Sequence, residues 1–227
     1  MSNAVQLARF KTGTIADALD DCGLYDQALT PELRMLVRPH SKRIVGSAKV
    51  IGAHPAPRAE WNHKVPKERS VAFQKRLEAY IAPGDVVVWG VHGGSIMPCE
   101  IIGGFIAKLL QGRGAIGAIA DGYIRDLDEI TELGLCTIAR GMHPAIMRGR
   151  VKGGTFGEPI AVGGVTIHEG DWIVADVDGT LVIPKEGGVV EKVLAFCERV
   201  AELEVKAWAD VARGDAISDV FDRYGVL

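Results

Sequence analysis

An α/β domain is the fold class this sequence predicts, and three observations point to it. Short apolar runs alternate with helix-like stretches through the middle of the chain, the pattern of parallel strands joined by crossover helices. After residue 153 the texture changes to short strands separated by Gly- and Asp-containing turns. A long apolar stripe at helical spacing follows. The two strand families are expected to stack and to be covered by helices, and no linker or low-complexity tract divides residues 1–227.

Taken in order, Thr12-Gly13-Thr14-Ile15-Ala16-Asp17-Ala18-Leu19 reads as a capped helix closed near Gly23. Ile44–Ile51 reads as a strand. Residues 54–67 hold Pro55, Pro57 and Pro66 and read as a long loop, with a helix next across Val71–Tyr80. Pro83-Gly84-Asp85 turns into a buried strand, Val86–Trp89. The Gly-rich loop His92-Gly93-Gly94-Ser95 feeds a helix expected around Glu100–Gln111. Ala115–Ala120 is a second apolar strand, after which Asp121-Gly122 is expected to turn the chain. Asp126–Leu133 reads as a short helix closed by Gly134, and Leu135–Ala139 as a third strand, completing a parallel βαβαβ unit. Beyond it come Ile160–Val162, Val165–Ile167, Trp172–Asp176 and Leu181–Ile183, the last stopped by Pro184. From Val189, the stripe Val190, Val193, Leu194, Cys197, Val200, Ala201 marks the long helix.

Composition narrows the function classes. At 48% hydrophobic and 24% charged residues, the chain can bury one sizeable core. A net charge of -3 and interspersed basic and acidic residues give no nucleic-acid footprint. No apolar run approaches the roughly 20 residues of a membrane helix, and the amino terminus lacks the pattern of a signal peptide. The four cysteines are far apart with no CxxC pairing, so reduced thiols and a cytoplasmic location are expected.

In a parallel sheet, ligands bind beyond the carboxyl ends of the strands. Three loops there are rich: the one holding His92, the one running through Asp121-Gly122-Tyr123-Ile124-Arg125-Asp126, and Arg140-Gly141-Met142-His143. A helix amino terminus near Gly103-Gly104 offers free N–H groups and partial positive charge to a carboxylate. Arg125 could add a planar clamp, and Asp126 could hold a hard cation that keeps its waters. Asp126-Leu127-Asp128-Glu129 also reads as a capping box. Arg125 reads equally as a surface ion-pairing residue, and His92 and His143 as solvated loop histidines.

The stretch from Gly103 to Glu129 resembles the signature of the RraA-like family, which includes the 4-hydroxy-4-methyl-2-oxoglutarate (HMG/CHA) aldolases. There a residue is followed, after twenty others, by Arg-Asp and then by an acid; Gly104, Arg125-Asp126 and Glu129 take those places. Thr14–Leu19, Pro83-Gly84-Asp85 and Gly170–Gly179 extend the resemblance over most of the chain. It implies a single-domain α/β/β/α sandwich of the swivelling β/β/α type, assembled as trimers or dimers of trimers with sites at subunit boundaries. It also implies a metal-dependent class II pyruvate aldolase or oxaloacetate decarboxylase acting on a small 2-oxo acid. Arg125 would bind the pyruvoyl carboxylate or enolate oxygen, Asp126 would ligate Mg²⁺ or Mn²⁺, and the backbone at Gly104, Phe105 and Ile106 would hold the carboxylate. Glu204 of a neighbouring subunit would orient water at the metal. Aldolase members commonly carry an acid where this chain has Gly104. Glu100, one helical turn earlier if the expected helix forms, or His92 is the candidate replacement. The alternative implied by the same family is a regulator that binds and inhibits a ribonuclease without catalysis.

Overall fold

A computed structural model describes residues 2–41, 43–94 and 96–225; Ser95 of the Gly-rich loop lies outside them. In chain order, helices α1 (Asn3–Leu7) and α2 (Thr12–Asp21) precede strands β1 (Arg34–Val37) and β2 (Ile44–Pro55). Helix α3 (Lys67–Tyr80) leads to β3 (Asp85–Val91), β4 (Glu100–Ile102) and α4 (Gly104–Gly112). Next come β5 (Gly117–Ile124), α5 (Leu127–Leu133) and β6 (Cys136–Met142). The last part holds β7 (Val151–Phe156), β8 (Ile160–Val162), β9 (Val165–Ile167), β10 (Trp172–Ala175), β11 (Thr180–Ile183), α6 (Val189–Ala212) and α7 (Ile217–Tyr224).

Among the described residues, one mixed sheet runs β1-β6-β5-β3-β2-β10-β11, with β4 added to β5 and β7 to β2; β8 and β9 form a separate hairpin. The pairs β2–β3, β3–β5 and β5–β6 are parallel, so the expected βαβαβ unit is present. Every residue of β3 is buried, as a central parallel strand covered on both faces must be.

Three apolar clusters fill the spaces between four layers. The first packs β2, β3 and β5 (Ile51, Trp89, Ala120) against Leu77 of α3, Ala107 and Leu110 of α4 and Ile130 of α5. The second lies between strands, with Val50, Val88 and Ile138 facing Ile160, Val165 and Ile173. The third sets Val174, Leu181 and Ile183 against Ile15, Leu19, Val193 and Cys197 of α2 and α6. This is the α/β/β/α layering that the resemblance implies. Period-2 alternation explains how one strand serves two spaces: Val45 faces α2 and α6, whereas Ile44 faces the other strands.

The structure corrects the sequence reading at several elements. The helix expected around Glu100–Gln111 starts only at Gly104, because Glu100–Ile102 pairs with β5 as the strand β4. Asp121-Gly122 does not turn the chain. β5 continues through it to Ile124, with an irregularity between Ala120 and Tyr123. The Asp121 carboxylate is held instead by Arg140 Nε (2.7 Å) and the Gly163 N–H (2.9 Å), which removes the reason for a turn. The strand from Ile44 runs on to Pro55, the loop at 54–67 contains a 3₁₀ turn at Arg58–Glu60, and α3 starts at Lys67 rather than Val71.

Candidate active site

The register of β4 on β5 builds the site. Glu100 pairs with Tyr123, and Arg125, the first residue after β5, donates its backbone N–H to the Ile102 carbonyl at 3.1 Å, which brings its side chain beside Glu100. Immediately after β4, Gly103 and Gly104 begin α4 beside Arg125 and Asp126. A Cβ on Gly103 would come within 3.2 Å of both Arg125 Nε and Asp126 Oδ2. The glycine pair therefore lets the helix start approach two charged side chains that any substituent would push away.

Asp126 is the one non-glycine residue among the described residues with a positive φ, +60°. It makes no side-chain cap on α5, so the expected capping box does not form. Its carboxylate turns the other way: Oδ2 accepts the Gly104 N–H at 3.0 Å. This left-handed turn costs energy that Asp tolerates better than most residues, and it places a carboxylate at the amino end of α4. The N–H groups of Phe105 and Ile106, in the first turn of α4, have no carbonyl partner within the helix.

Glu129 completes the group. An ideal Cβ on Gly104 would overlap Glu129 Oε2 and would lie 3.2 Å from the Asp126 Cβ. The Glu129 carboxylate thus covers the space that a side chain at 104 would occupy. The sequence reading placed Glu129 in the family pattern but gave it only a capping role.

Arg125 Nε lies 3.5 Å from Asp126 Oδ2 and 3.7 Å from Glu100 Oε1. These are charge–charge contacts beyond good hydrogen-bond distance, and Arg125 Nε has no hydrogen-bond partner among the described residues. Glu100 is buried, and its Oε2 likewise has no hydrogen-bond partner among the described residues. Burial pushes its carboxyl up to about 7; the Arg125 charge opposes this and the Asp126 charge adds to it. Because Glu100 stands on β4 and not on α4, it is not one helical turn before Gly104, which corrects the geometry behind its expected role.

Two other expected residues stand apart. His92 stacks on His54 with ring centroids 4.3 Å apart, and its Nε2 is 2.9 Å from Thr155 Oγ1. None of these contacts reaches Arg125, Asp126 or Glu100. Glu204 lies on α6, whose apolar stripe packs on α2, β10 and β11 in the layer opposite α4 and α5. A role for it at this site requires a neighbouring copy. His143 is closer, with its ring 5.6 Å from that of Tyr123.

Asp126 and Glu129 bring hard oxygen donors to one place. No group of three or more His, Cys, Asp or Glu suited to a metal occurs among the described residues. Two carboxylates fit an ion that binds through one or two of them and keeps several waters, as Mg²⁺ does, better than one needing a full protein cage.

The family model described as RraA-like (Aldolase/RraA) matches residues 12–182. The chain belongs to this family. An Arabidopsis thaliana relative is 34% identical over 120 residues, covering 52% of this chain and 69% of that protein. A Halorhodospira halophila relative is 37% identical over 110 residues, covering 48% of this chain and 66% of that protein. Both carry the provisional name of 4-hydroxy-4-methyl-2-oxoglutarate aldolase. The matched part thus spans about two thirds of these relatives. The family fold is seen in the crystal structure of a Streptomyces coelicolor protein described as an unusual member of the RNase ES inhibitor RraA family. It aligns at a TM-score of 0.72 and 21% identity over 94% of this chain and 96% of that one. No helix among the described residues is long and apolar enough to cross a membrane.

Proposed function

We propose that this chain is a divalent-metal-dependent lyase that cleaves a carbon–carbon bond of a small 2-oxo acid through a pyruvate enolate. The observation that carries the reading is the convergence of Arg125, Asp126, Glu129 and the open start of α4 at one point, with a buried carboxyl beside them. The provisional aldolase names of the relatives support the same class.

Mg²⁺ or Mn²⁺, held by Asp126 with Glu129 close by, would supply Lewis-acid polarisation of the 2-oxo group. The remaining chemistry belongs to the chain. The Phe105 and Ile106 N–H groups and Arg125 bind the carboxylate and stabilise negative charge as it grows on the enolate oxygen. Glu129 takes the proton of the C4 hydroxyl. The C3–C4 electron pair then forms the C2–C3 double bond of the enolate, and C4 leaves as a carbonyl. Glu100, protonated near neutrality, returns a proton to C3 to give pyruvate, and exchange with solvent resets both carboxyls. Oxaloacetate follows the same course with carbon dioxide leaving and no hydroxyl to deprotonate. A 4-hydroxy-2-oxo acid aldolase and an oxaloacetate decarboxylase can therefore share this site.

We also infer a homo-oligomer, a trimer or a dimer of trimers, with this site near a subunit boundary. Val205 and Trp208, three residues apart on α6, are 72% and 68% exposed, and Phe105 at the mouth of the site is 69% exposed. Large exposed apolar side chains mark contact surfaces when they cluster. The inhibitor description of the Streptomyces protein belongs to that protein, whereas a buried carboxyl held near neutrality beside an arginine favours turnover over simple binding. The test is pyruvate release from oxaloacetate and a panel of 4-hydroxy-2-oxo acids, with Mg²⁺, with Mn²⁺ and with EDTA. Metal-dependent release supports the reading; no release from any of them, together with a stable ribonuclease complex, would replace it with the regulatory one.

A further inference from the structure

Next to the carboxylate-binding residues lies a cavity of about 210 Å³ that the proposed reaction does not use. Its walls come from β2, β3, β4, α3, β7 and the segment 147–149, and it shares Glu100 and Ile106 with the site. The lining is mainly apolar, with Ile51, Val65, Phe73, Met147 and Val151 prominent. A dry apolar cavity of roughly 150 Å³ is large enough to bind benzene, so a six-membered ring fits here.

Two buried polar atoms change what the cavity asks for. Trp89 is 2% exposed and Glu100 6% exposed, and both line it. Among the described residues, Trp89 Nε1 and Glu100 Oε2 each lack a hydrogen-bond partner. Unmet buried donors and acceptors are costly and rare in folded proteins. A hydroxyl group can accept from an N–H donor such as Trp89 Nε1 and can donate to a carboxyl oxygen such as Glu100 Oε2.

We propose that this cavity takes the distal substituent of the substrate, an uncharged aromatic or alkyl group carrying a hydroxyl. The inference rests on the proposed lyase reading and names its substrate class: 4-hydroxy-2-oxo acids with a bulky, uncharged group on C4. The cleaved aldehyde then leaves from the cavity, and pyruvate from the Arg125 side. A dicarboxylate such as 4-hydroxy-4-methyl-2-oxoglutarate would have to place a charge against this apolar wall. Exposed Arg69 and Arg148 at the lining are the groups that would favour such a substrate, although Arg69 already donates to the Lys152 carbonyl, and the test includes that substrate.

The test uses the full chain with Mg²⁺ and compares three substrates by kcat/KM: 4-hydroxy-2-oxo-4-phenylbutanoate, its 4-hydroxyphenyl analogue and 4-hydroxy-4-methyl-2-oxoglutarate. The aryl compounds should lead by at least about tenfold, the scale at which an apolar pocket discriminates. In parallel, calorimetry measures binding of p-cresol, which needs no turnover. Two variants probe the wall. Gly153→Val adds a side chain where a Cβ meets nothing within 4 Å and where φ is not positive, so it narrows the cavity without a clash. Trp89→Phe keeps a ring but removes the donor. Both should weaken p-cresol, Trp89→Phe by about tenfold as one hydrogen bond is lost. Binding of p-cresol without pyruvate release from any substrate would keep the cavity assignment and refute the lyase reading. Fast cleavage of the dicarboxylate, with slow aryl substrates and no p-cresol binding, would overturn the cavity assignment and leave the lyase reading intact.

Discussion

Replacing Glu100 by Gln tests the buried carboxyl directly, and its consequence for stability can be worked out. In the folded chain burial holds this carboxyl at about 7, against an ordinary value of 4.5. Because the folded value is raised, the associated stability is fully present below about pH 4.5 and is lost as pH rises through about 7. At about 1.4 kcal/mol for each tenfold change in proton affinity, the interval amounts to about 3 kcal/mol at most. Glutamine cannot ionise and escapes this loss. In metal-free protein, Glu100→Gln should therefore gain about 1–3 kcal/mol relative to wild type between pH 5 and pH 8. Pyruvate release by the Mg²⁺-loaded variant should fall by roughly 10²-fold or more, because the proton donor to C3 is gone. The stability assay is reversible urea unfolding of both proteins in EDTA at each pH, alongside the pH profile of kcat. Stability curves that stay parallel over this range would refute the account of Glu100 as a buried carboxyl ionising near neutrality.

Other expectations follow from the same geometry. Arg125→Lys keeps the charge but loses the planar fork, and kcat should drop on the order of 10²-fold; a change below about threefold would return Arg125 to an ion-pairing role. Glu129→Gln should lower aldol cleavage by about 10²-fold while affecting oxaloacetate decarboxylation much less, since only the former needs a hydroxyl deprotonated. Gly104→Asp alone should give no gain, because Glu129 already covers that space. Combined with Glu129→Ala it should recover aldol cleavage, and the ratio of the two activities reads both effects. Light scattering at micromolar concentration should give a multiple of the 24.3 kDa chain mass; a monomer would contradict the assembly.

Much of the layering was legible because burial imposes a period on sequence. Val86–Trp89 is apolar at every position, as a strand covered on both faces must be, and the stripe from Val190 to Val200 buries as a single helix face. Arg125 and Asp126 were visible as a charged pair after an apolar run. What the sequence hid is set by contacts between distant residues. Glu100-Ile101-Ile102 reads locally as the start of a helix, and only pairing with β5 makes it a strand. Asp121-Gly122 carries a turn signal that the ion pair with Arg140 overrides. Asp126 has the composition of an N-cap, yet its left-handed backbone turns the carboxylate towards Gly104, twenty-two positions back. That same turn carries Glu129 over Gly104, which no periodicity could indicate. His92 was a candidate because of its Gly-rich loop, and its contacts in the fold are with His54 and Thr155.

The most direct test of the central claim is the Mg²⁺ activation curve of pyruvate release, measured for wild type and for Asp126→Asn after EDTA treatment. Asparagine tolerates the left-handed backbone at this position, so the comparison isolates the charge. Metal-depleted wild type should be inactive and recover with Mg²⁺, and the variant should need at least about tenfold more Mg²⁺, the scale of losing one charged ligand. Full activity of wild type in EDTA, or the same activation curve for both proteins, would contradict the claim that Asp126 holds the metal on which bond cleavage depends.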